Sequence, residues 1–324
     1  NYRTFYSNEK KALDKEFSKM FLKKTPVSLY EPCAYIMDNG GKRLRPLLVL
    51  LSCKAAGGDY KKARNAALAV EILHNFTLVH DDIMDNADKR RGMATLHKKY
   101  DISTAILAGD NLIAFAYQYL LLDCHENVKE VVATFTKGIV EVCEGQSLDK
   151  EFELKKEVKI KDYIEMIQKK TAALLQICCS IGAQIAGASK NEIKKLSDFG
   201  LNIGLAFQIQ DDLLDIFGDE KEFGKTVGGD LIEGKKTYLV LKALEKAVGA
   251  DKVLLDKFIE NKGIKRTEVA KFKSLYVKLG IFDDAEKEIK KYTTKALNAL
   301  KDLKDEESVL LMNSLANSLI TRTK

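Results

Sequence analysis

Apolar side chains recur every three or four residues along most of the chain, a spacing typical of helices that bury one face. One such series is Leu196, Phe199, Ile203 and Phe207. Pro occurs at positions 26, 32 and 46 and nowhere after them, so no proline interrupts a helix over the rest of the chain. Alternating apolar and polar patterns typical of strands are scarce. The sequence therefore predicts an all-α protein.

The same spacing predicts where the helices lie. They are expected near residues 8–22, 28–38, 43–56, 60–87, 101–124, 127–146, 158–188, 191–217, 235–247, 251–262, 266–279, 281–298 and 304–320. Glycines mark candidate loops at 40–41, 57–58, 218–234, 249 and 263. No long linker, low-complexity tract or fixed-period repeat divides the chain. We therefore expect residues 1–324 to form a single domain, an antiparallel helix bundle.

Composition narrows the class of partner. The net charge is only +6, with 53 basic and 47 acidic residues, so charge does not favour nucleic acid. The longest apolar stretch, residues 172–188, contains Gln176, Ser180 and Gln184, which fits a buried helix better than a membrane span. The six cysteines lack metal-ligand spacing and no signal peptide is visible. We expect a cytoplasmic protein with free, mostly buried thiols and no membrane span.

Two copies of the pattern Asp-Asp-x-x-Asp stand 130 positions apart, at residues 81–85 and 211–215. Each follows an apolar run, and its first and last Asp share one helix face. Carboxylates gathered beside apolar surface require a cation, and all-oxygen ligands suit Mg²⁺, which usually also binds substrate phosphate. For either copy alone, a solvated helix surface is the alternative. The pair predicts a Mg²⁺ site with the candidate ligands Asp81, Asp82, Asp85, Asp211, Asp212 and Asp215.

Basic residues cluster close to the first acidic motif in the sequence. Gly40-Gly41-Lys42-Arg43-Leu44-Arg45 places two glycines before three cations, and Arg90-Arg91 follows Asp85. Glycines let backbone approach a ligand, exposed amides at a helix start favour an anion, and Arg suits phosphate oxygens. Ordinary surface cations and charge balancing are the alternatives.

A third group of candidates surrounds the second acidic motif. Gly224-Lys225-Thr226 suggests a nucleotide-binding P-loop, but no strand precedes it and the upstream glycine spacing is wrong. Two interpretations remain for this segment. It is either a loop that closes over phosphate with Lys225 and Lys235, or an ordinary solvated loop. Lys170, Thr171 and Gln208 are polar residues in apolar helices and need partners if buried. His74 shares the face of Asp81, although a core histidine is the alternative.

Together these segments resemble the trans-polyprenyl diphosphate synthases over roughly residues 36–240. The motifs that carry the resemblance are GGKRLRP (40–46), HNFTLVHDDIMD (74–85), RRG (90–92), LAGD (107–110), EGQSLD (144–149), KKTAAL (169–174), FQIQDDLLDIFGD (207–219), GKTVGGD (224–230) and EGKKT (233–237). The residues around the first acidic motif are most similar to archaeal geranylgeranyl diphosphate synthases. Met93-Ala94 departs from the family, which usually has Pro at the second position.

The resemblance implies an all-helical fold around a deep central cavity, a homodimer, and Mg²⁺ as cofactor, with three ions bound together with diphosphate. It implies isoprenoid diphosphates as substrates and head-to-tail (1′–4) condensation as the reaction. Asp81, Asp85 and Asp211 would be the principal Mg²⁺ ligands, supported by Asp82, Asp212 and Asp215. The isopentenyl diphosphate site would comprise Gly41, Lys42, Arg45, His74 and Arg91. The allylic diphosphate would be held by Arg90, Lys170, Lys225 and Lys235, with Thr171 and Gln208 facing the developing cation; Lys170, Thr171 and Gln208 are the catalytic candidates.

Product length is a separate hypothesis. In the family an aromatic residue five positions before the first Asp forms the floor for the growing chain, which here is Phe76, and a C20 product is implied. On an ideal helix Phe76 lies about 140° from Asp81, whereas Thr77 and Leu73 are nearer its face. All three are therefore candidates for setting chain length.

Several other functions remain open from the sequence. The product could be farnesyl or a longer polyprenyl diphosphate. A class I terpene cyclase also uses an Asp-rich motif and Mg²⁺, but it has no need for the GGKRLRP segment. A non-catalytic synthase subunit is expected to lose the acidic motifs, and both are intact here.

Overall fold

A computed structural model describes residues 2–38, 40–218 and 227–321. Its helices in chain order are α1 Tyr2–Met20, α2 Val27–Asp38, α3 Leu44–Ala55, α4 Arg64–Met84, α5 Leu96–Lys99, α6 Ile102–Leu122, α7 Val128–Leu154, α8 Ile160–Ile167, α9 Ala173–Ile185, α10 Lys190–Phe217, α11 Gly229–Ile232, α12 Tyr238–Lys246, α13 Gly249–Asn261, α14 Val269–Lys278, α15 Ile281–Ala299 and α16 Glu306–Ile320. The predicted all-α class is confirmed.

Most predicted helices lie within a few residues of an observed one. The largest difference is α7, expected to end at 146 but running to Leu154. Gly145 lies inside this helix. A second difference is the helix predicted at 60–87, which is a short 3₁₀ turn, Tyr60–Ala63, followed by α4. Asp59 starts that turn by accepting a hydrogen bond from the Lys61 amide at 3.0 Å.

Besides the short helices α5 and α11, two features between the long helices were absent from the sequence prediction. The first is a two-stranded antiparallel hairpin after α4, β1 Lys89–Arg90 and β2 Met93–Ala94, closed by Gly92 with a φ of 79°. The second is a π-helical turn, Gln168–Ala172, between α8 and α9. Such turns are rare and frequently occur at functional sites.

Contacts divide the chain into two compact units. The first comprises the described residues of Asn1–Thr136, Ile177–Leu196 and Asp302–Met312, and the second those of Lys137–Gln176, Ser197–Lys301 and Asn313–Lys324. In the first unit α3, α4 and α6 supply fully buried aliphatic side chains such as Leu48, Val70 and Leu112. In the second, Phe258, Phe272 and other buried side chains form one continuous core. The single-domain organisation stays a prediction.

Within the described residues, α6 alone is long and apolar enough to meet the length and composition of a bilayer span, and 39% of its most apolar window is buried inside the protein. The predicted buried stretch 172–188 does not meet that description. Five of the six cysteines are buried and Cys143 is exposed, and all are free thiols, as expected.

Candidate active site

The first acidic motif lies at the carboxyl end of α4. The helix ends at Met84, and Asp85 occupies the capping position just beyond it. Asp81 is partly buried and Asp85 is exposed. A helix carboxyl end carries partial negative charge, which adds to that of the carboxylates. The location therefore suits a cation.

Asp82, the second acid of this motif, turns into the protein. It is only 2% exposed, and its Oδ1 accepts hydrogen bonds from Arg90 Nε and Nη2, both at 2.8 Å. Arg90 Nη2 also lies 3.8 Å from Asp81 Oδ2. The β1 strand thus brings Arg90, a candidate diphosphate ligand, directly to the first acidic motif.

The Gly-rich loop before α3 lies beside the β1–β2 hairpin. Arg91 Nη1 donates a hydrogen bond to the Gly40 carbonyl oxygen. A Cβ at Gly41 would sit 3.0 Å from Arg91 Nη1, and the φ of 145° at this position is a conformation that residues with side chains rarely adopt. Helix α3 then begins at Leu44 with no side-chain cap on its first turn. Gly41 and Arg91, both predicted to bind isopentenyl diphosphate, are therefore adjacent.

His74 completes this group of residues. Burial, and then the positive charges of Arg45 and Arg91, hold the pKa of His74 well below its ordinary value. The imidazole is therefore neutral at neutral pH and offers a hydrogen bond rather than a charge. The five residues predicted for isopentenyl diphosphate all belong to the first unit, and the charges of two of them, Arg45 and Arg91, act on His74.

Arg43 lies in the same loop, but its side chain faces the protein interior. Its side chain is buried and contacts Asp14 of α1 and Glu71 of α4. In the sequence Arg43 is one of three cations that follow the two glycines, and Asp14 and Glu71 carry no predicted role.

Asp212, the second acid of the other motif, is also turned inward. It is 5% exposed, and its Oδ2 accepts hydrogen bonds from the Tyr163 hydroxyl at 2.5 Å and the Tyr238 amide at 3.3 Å. Burial, and then the charge of Asp230, raise the pKa of Asp212. Tyr163 keeps its proton because burial and the charge of Asp212 hold its pKa well above the ordinary value. Sequence reasoning missed Tyr163 altogether.

Thr171 and Gln208 come together in this network, although 37 positions separate them. The Thr171 hydroxyl donates to Gln208 Oε1 at 2.9 Å, and Gln208 Nε2 donates to Asp212 Oδ1 at 3.1 Å. Gln208 is thereby held at both ends of its amide. The two residues predicted to face a developing cation share one hydrogen-bond network.

Two glycines create the space for the π turn that carries Lys170 and Thr171, and a third lets α10 pack closely against the start of α9. A Cβ at Gly145 would lie 2.2 Å from the Lys170 backbone nitrogen, and one at Gly204 would lie 2.6 Å from the Cα of Ala172. Gly200 is equally close to the Leu175 carbonyl oxygen, at 2.6 Å. The spacing of Gly200 and Gly204 on one face of α10 was the available signal for this close packing.

The cationic candidates of the second unit pair with acids. Lys170 Nζ lies 2.6 Å from Asp149 Oδ2, which belongs to the EGQSLD motif. Lys235 Nζ lies 2.7 Å from Glu233 Oε2 and 3.5 Å from Asp230 Oδ1. Lys225 lies outside the described residues.

Asp215 anchors the chain that follows the second acidic motif. Its carbonyl oxygen accepts a hydrogen bond from the Gly228 amide at 2.7 Å, and its Oδ2 accepts one from the Asp230 amide at 3.1 Å. Gly228 has a φ of 80°, which turns the chain into α11. Asp211 is partly buried one turn earlier on α10.

The three chain-length candidates lie on α4. Leu73 is fully buried, and the Phe76 ring packs against the His80 ring with centroids 4.7 Å apart. The Thr77 hydroxyl donates to the His74 carbonyl oxygen at 2.7 Å. All three precede Asp81 on the helix that carries the first acidic motif.

The acidic residues fit a loosely held magnesium ion better than a closed metal cage. In residues 2–38, 40–218 and 227–321, no group of three or more His, Cys, Asp or Glu side chains gathers as a ready-made metal site. Mg²⁺ commonly takes one or two carboxylates and completes its octahedron with water and substrate phosphate. The first and last acids of each motif suit that use, since they are exposed or only partly buried, whereas the second acids are buried.

Comparison with known proteins agrees with this chemistry. The family model described as polyprenyl synthetase matches residues 26–277. A geranylgeranyl diphosphate synthase from Sulfolobus acidocaldarius is 39% identical over 330 residues, covering 100% of both chains. The crystal structure of a geranylgeranyl pyrophosphate synthetase from Pyrococcus horikoshii has a TM-score of 0.91 and 37% identity, covering 99% of this chain and 98% of that one. A Caulobacter crescentus polyprenyl synthase, solved with calcium and isoprenyl diphosphate, has a TM-score of 0.89 and 27% identity, covering 98% and 96%.

Proposed function

Because the chain belongs to the polyprenyl synthetase family of trans-prenyltransferases, we propose that it condenses isopentenyl diphosphate with allylic diphosphates and releases geranylgeranyl diphosphate (C20). The observation that carries the proposal is the arrangement inside the first unit. There the Gly-rich loop and Arg91 gather around a neutral His74, while Arg90 pairs with the acidic motif of the same helix. One helix therefore carries both an anion site and a cation site.

The residues divide between two diphosphates. Gly41, Lys42, Arg45 and Arg91 bind isopentenyl diphosphate, and neutral His74 donates a hydrogen bond to it. Lys170, Lys225 and Lys235 bind the allylic diphosphate. The pairing of Lys170 with Asp149 and of Lys235 with Glu233 supports this role, because each ammonium is already held in place before substrate arrives.

The acids hold the metal. Asp81, Asp85, Asp211 and Asp215 are the ligands of choice, while Asp82 and Asp212 act indirectly through Arg90 and Tyr163. Three Mg²⁺ ions bound with the diphosphate would neutralise the charge of the leaving group, which is the chemistry that the metal supplies. The calcium and isoprenyl diphosphate in the Caulobacter relative support a shared site for cation and substrate.

The reaction needs no side-chain base. The allylic C–O bond breaks and its electron pair leaves with the diphosphate. The double bond of isopentenyl diphosphate attacks the allylic carbon, and the departed diphosphate takes the proton that the adduct loses. The oxygen atoms of Thr171 and Gln208 present dipoles rather than charges to the allylic cation, which stabilises it without capturing it.

We also infer a homodimer in which a second copy covers α6. Several large apolar side chains on this helix are exposed, among them Ile106, Leu107 and Leu121. Asp110 is exposed on the same helix, which suits a protein interface better than lipid. Light scattering measures the molar mass of the purified chain in solution, and we expect the mass of a dimer. Leu107→Glu should lower this mass to that of a monomer, and a monomeric wild-type chain would contradict the inference.

The assay of function uses the purified chain with labelled isopentenyl diphosphate, Mg²⁺ and dimethylallyl, geranyl or farnesyl diphosphate in separate reactions. We expect elongation that requires both substrates, with geranylgeraniol as the main alcohol after dephosphorylation and chromatography. A cyclic hydrocarbon made without isopentenyl diphosphate would identify a terpene cyclase. Turnover that appears only with a partner synthase would identify a subunit, and a longer or shorter alcohol would revise the product.

A further inference from the structure

Arg43 is the one cation of the Gly-rich loop that faces the protein interior. It is 3% exposed, and each guanidinium nitrogen has its own acceptor. Nε donates to Asp14 Oδ1 at 2.8 Å, Nη1 donates to Glu71 Oε1 at 2.9 Å, and Nη2 donates to the Met37 carbonyl oxygen at 2.9 Å. The guanidinium carbon also lies 4.6 Å from the centroid of the Phe17 ring. One side chain thereby joins α1, α2 and α4 to the loop.

The backbone of Arg43 shows that its position matters to the loop. Its φ of 48° and ψ of 36° are left-handed, a conformation that L-residues other than glycine seldom adopt. Such strain persists where surrounding contacts hold it. Arg43 is also the residue that caps α3, so it fixes where that helix begins and where Arg45 of the first turn lies.

The rest of the loop is held from both sides by its carbonyl oxygens. The Tyr6 hydroxyl of α1 donates to the Lys42 carbonyl at 2.9 Å, and Arg91 donates to the Gly40 carbonyl. These two bonds hold the main chain of the loop by its carbonyl oxygens. The main chain between them then sets the direction of the loop amides and of the first turn of α3. Arg43 provides the buried anchor between the two surface attachments.

Glu71 links this anchor to the charge of the site. It is buried on α4 three residues before His74, a spacing that places both on one helix face. Its negative charge acts on Arg91 as well as on Arg43. Glu71 therefore offsets part of the mutual repulsion among the cations that surround His74.

We propose that Arg43 is a positioning residue: its clamp on Asp14 and Glu71 holds the loop of residues 40–45 in the shape that binds isopentenyl diphosphate. This inference rests on the proposed function. A buried ion pair is weak evidence for stability alone, since well-packed apolar groups often serve as well. The clamp instead gives the loop one conformation before the ligand arrives, which lowers the cost of binding.

The test separates substrate binding from general stability. Arg43→Lys keeps the charge but loses the planar fork that reaches three acceptors. We expect the KM for isopentenyl diphosphate to rise about tenfold, the lower end of what the loss of a supporting hydrogen-bond partner costs a site. The KM for the allylic diphosphate should stay within about twofold of the wild-type value. A general loosening of the protein would instead raise both KM values. Calorimetric binding of isopentenyl diphosphate should weaken by the same factor.

Arg64 provides a matched control. It also joins α1 to α4, through Glu9 at 2.6 Å and Glu16 at 2.7 Å, but it lies seven positions before Glu71. Arg64→Met should lower the melting temperature without selective loss of isopentenyl diphosphate binding. If Arg43→Lys does not fold, Asp14→Ala supplies the second test, since Asp14 is partly exposed and this change removes the acceptor of one bond of the clamp.

Two results overturn the inference. One is a folded Arg43→Lys or Asp14→Ala variant with unchanged KM for isopentenyl diphosphate. The other is a parallel rise of both KM values that matches the Arg64→Met variant. An inactive wild-type chain would instead contradict the proposed function, so the two failures are distinguishable.

Discussion

The hydroxyl of Tyr163 donates a 2.5 Å hydrogen bond to Oδ2 of Asp212, and that carboxylate in turn accepts a hydrogen bond from Gln208. Tyr163 lies on α8 and Asp212 on α10, so the bond fixes α10 next to the π turn that follows α8. The amide of Gln208 is aligned through Asp212, which is buried. The second acid of the motif is therefore a structural support for a catalytic candidate.

Tyr163→Phe removes this hydrogen bond and leaves the ring in place. We expect the free energy of unfolding to fall by about 1–3 kcal/mol, the usual cost of removing a donor from a buried carboxylate, and kcat to fall with it. Denaturant unfolding and steady-state kinetics measure the two effects. Tyr276→Phe is the control, because that buried hydroxyl has no hydrogen-bond partner among the residues described and its loss should be neutral. Equal effects of the two variants would contradict the prediction.

Gly145→Ala should distort the π turn. The new methyl group would meet the Lys170 backbone nitrogen at 2.2 Å, and backbone cannot move aside as a flexible side chain does. We expect a loss of about 1–3 kcal/mol of stability, typical of overpacking, together with a lower kcat. Ser147→Ala, exposed on the same helix, is the control for the substitution itself. A Gly145→Ala variant with wild-type kcat would show that the close contact does not position Lys170.

Asp81→Asn should raise the Mg²⁺ concentration needed for activity and lower kcat by about 100-fold, because an amide is a poorer ligand for a hard cation than a carboxylate. A magnesium titration at saturating substrates measures both. Asp88→Asn is a suitable control, since its side chain is 81% exposed, lies beyond the motif and pairs with Lys98. An unchanged magnesium dependence would remove Asp81 from the metal site.

Glu192 makes part of the stability pH-dependent. Hydrogen bonds from the Ser189 amide and hydroxyl lower its pKa from 4.5 to about 2, with help from Lys304. A depressed carboxyl pKa stabilises the folded state above the unfolded-state value, and this contribution is lost as pH falls from about 4.5 towards 2. Glu192→Gln should therefore be less stable than wild type at pH 7, and the difference should narrow below about pH 4.5. Thermal melts across that range test this, and a constant difference would argue against it.

Phe76→Ala should lengthen the product if this ring is the floor of the chain pocket. Its distance from Asp81 along α4 is about 7.5 Å at the helical rise. Chromatography of the dephosphorylated products should then show alcohols longer than C20. Leu73→Ala and Thr77→Ala serve as comparisons, since they lie nearer the face of Asp81. An unchanged product distribution in Phe76→Ala with longer products in either comparison would transfer the role.

The helices could be predicted from the sequence because their apolar period is set locally. The inward turn of Asp82 and Asp212 was also available, since neighbouring helix residues point about 100° apart. Asp81 and Asp85 share a face, and Asp82 cannot share it.

The π turn and the Arg43 clamp could not be predicted in the same way. The π turn depends on glycines 145 and 204, which act only once distant segments pack together. Arg43 has the same chemistry in the sequence as Lys42 and Arg45, and only its burial against Asp14 and Glu71 distinguishes it. Both features belong to tertiary structure, where local propensity carries no information. The placement of Asp81 and Asp211 across one pocket stays a prediction.

The wide turn at Gln168–Ala172 has a consequence for how this segment can vary. A π turn accommodates one residue more than an α turn, so deletion of a single residue there would restore an ordinary, locally more favourable helix. Every side chain on one side of the deletion would then rotate by about 100° relative to the other. Lys170 and Thr171 would lose their register with Asp149 and Gln208. Insertions and deletions at this point are therefore constrained by chemistry, even though the isolated helix would tolerate them.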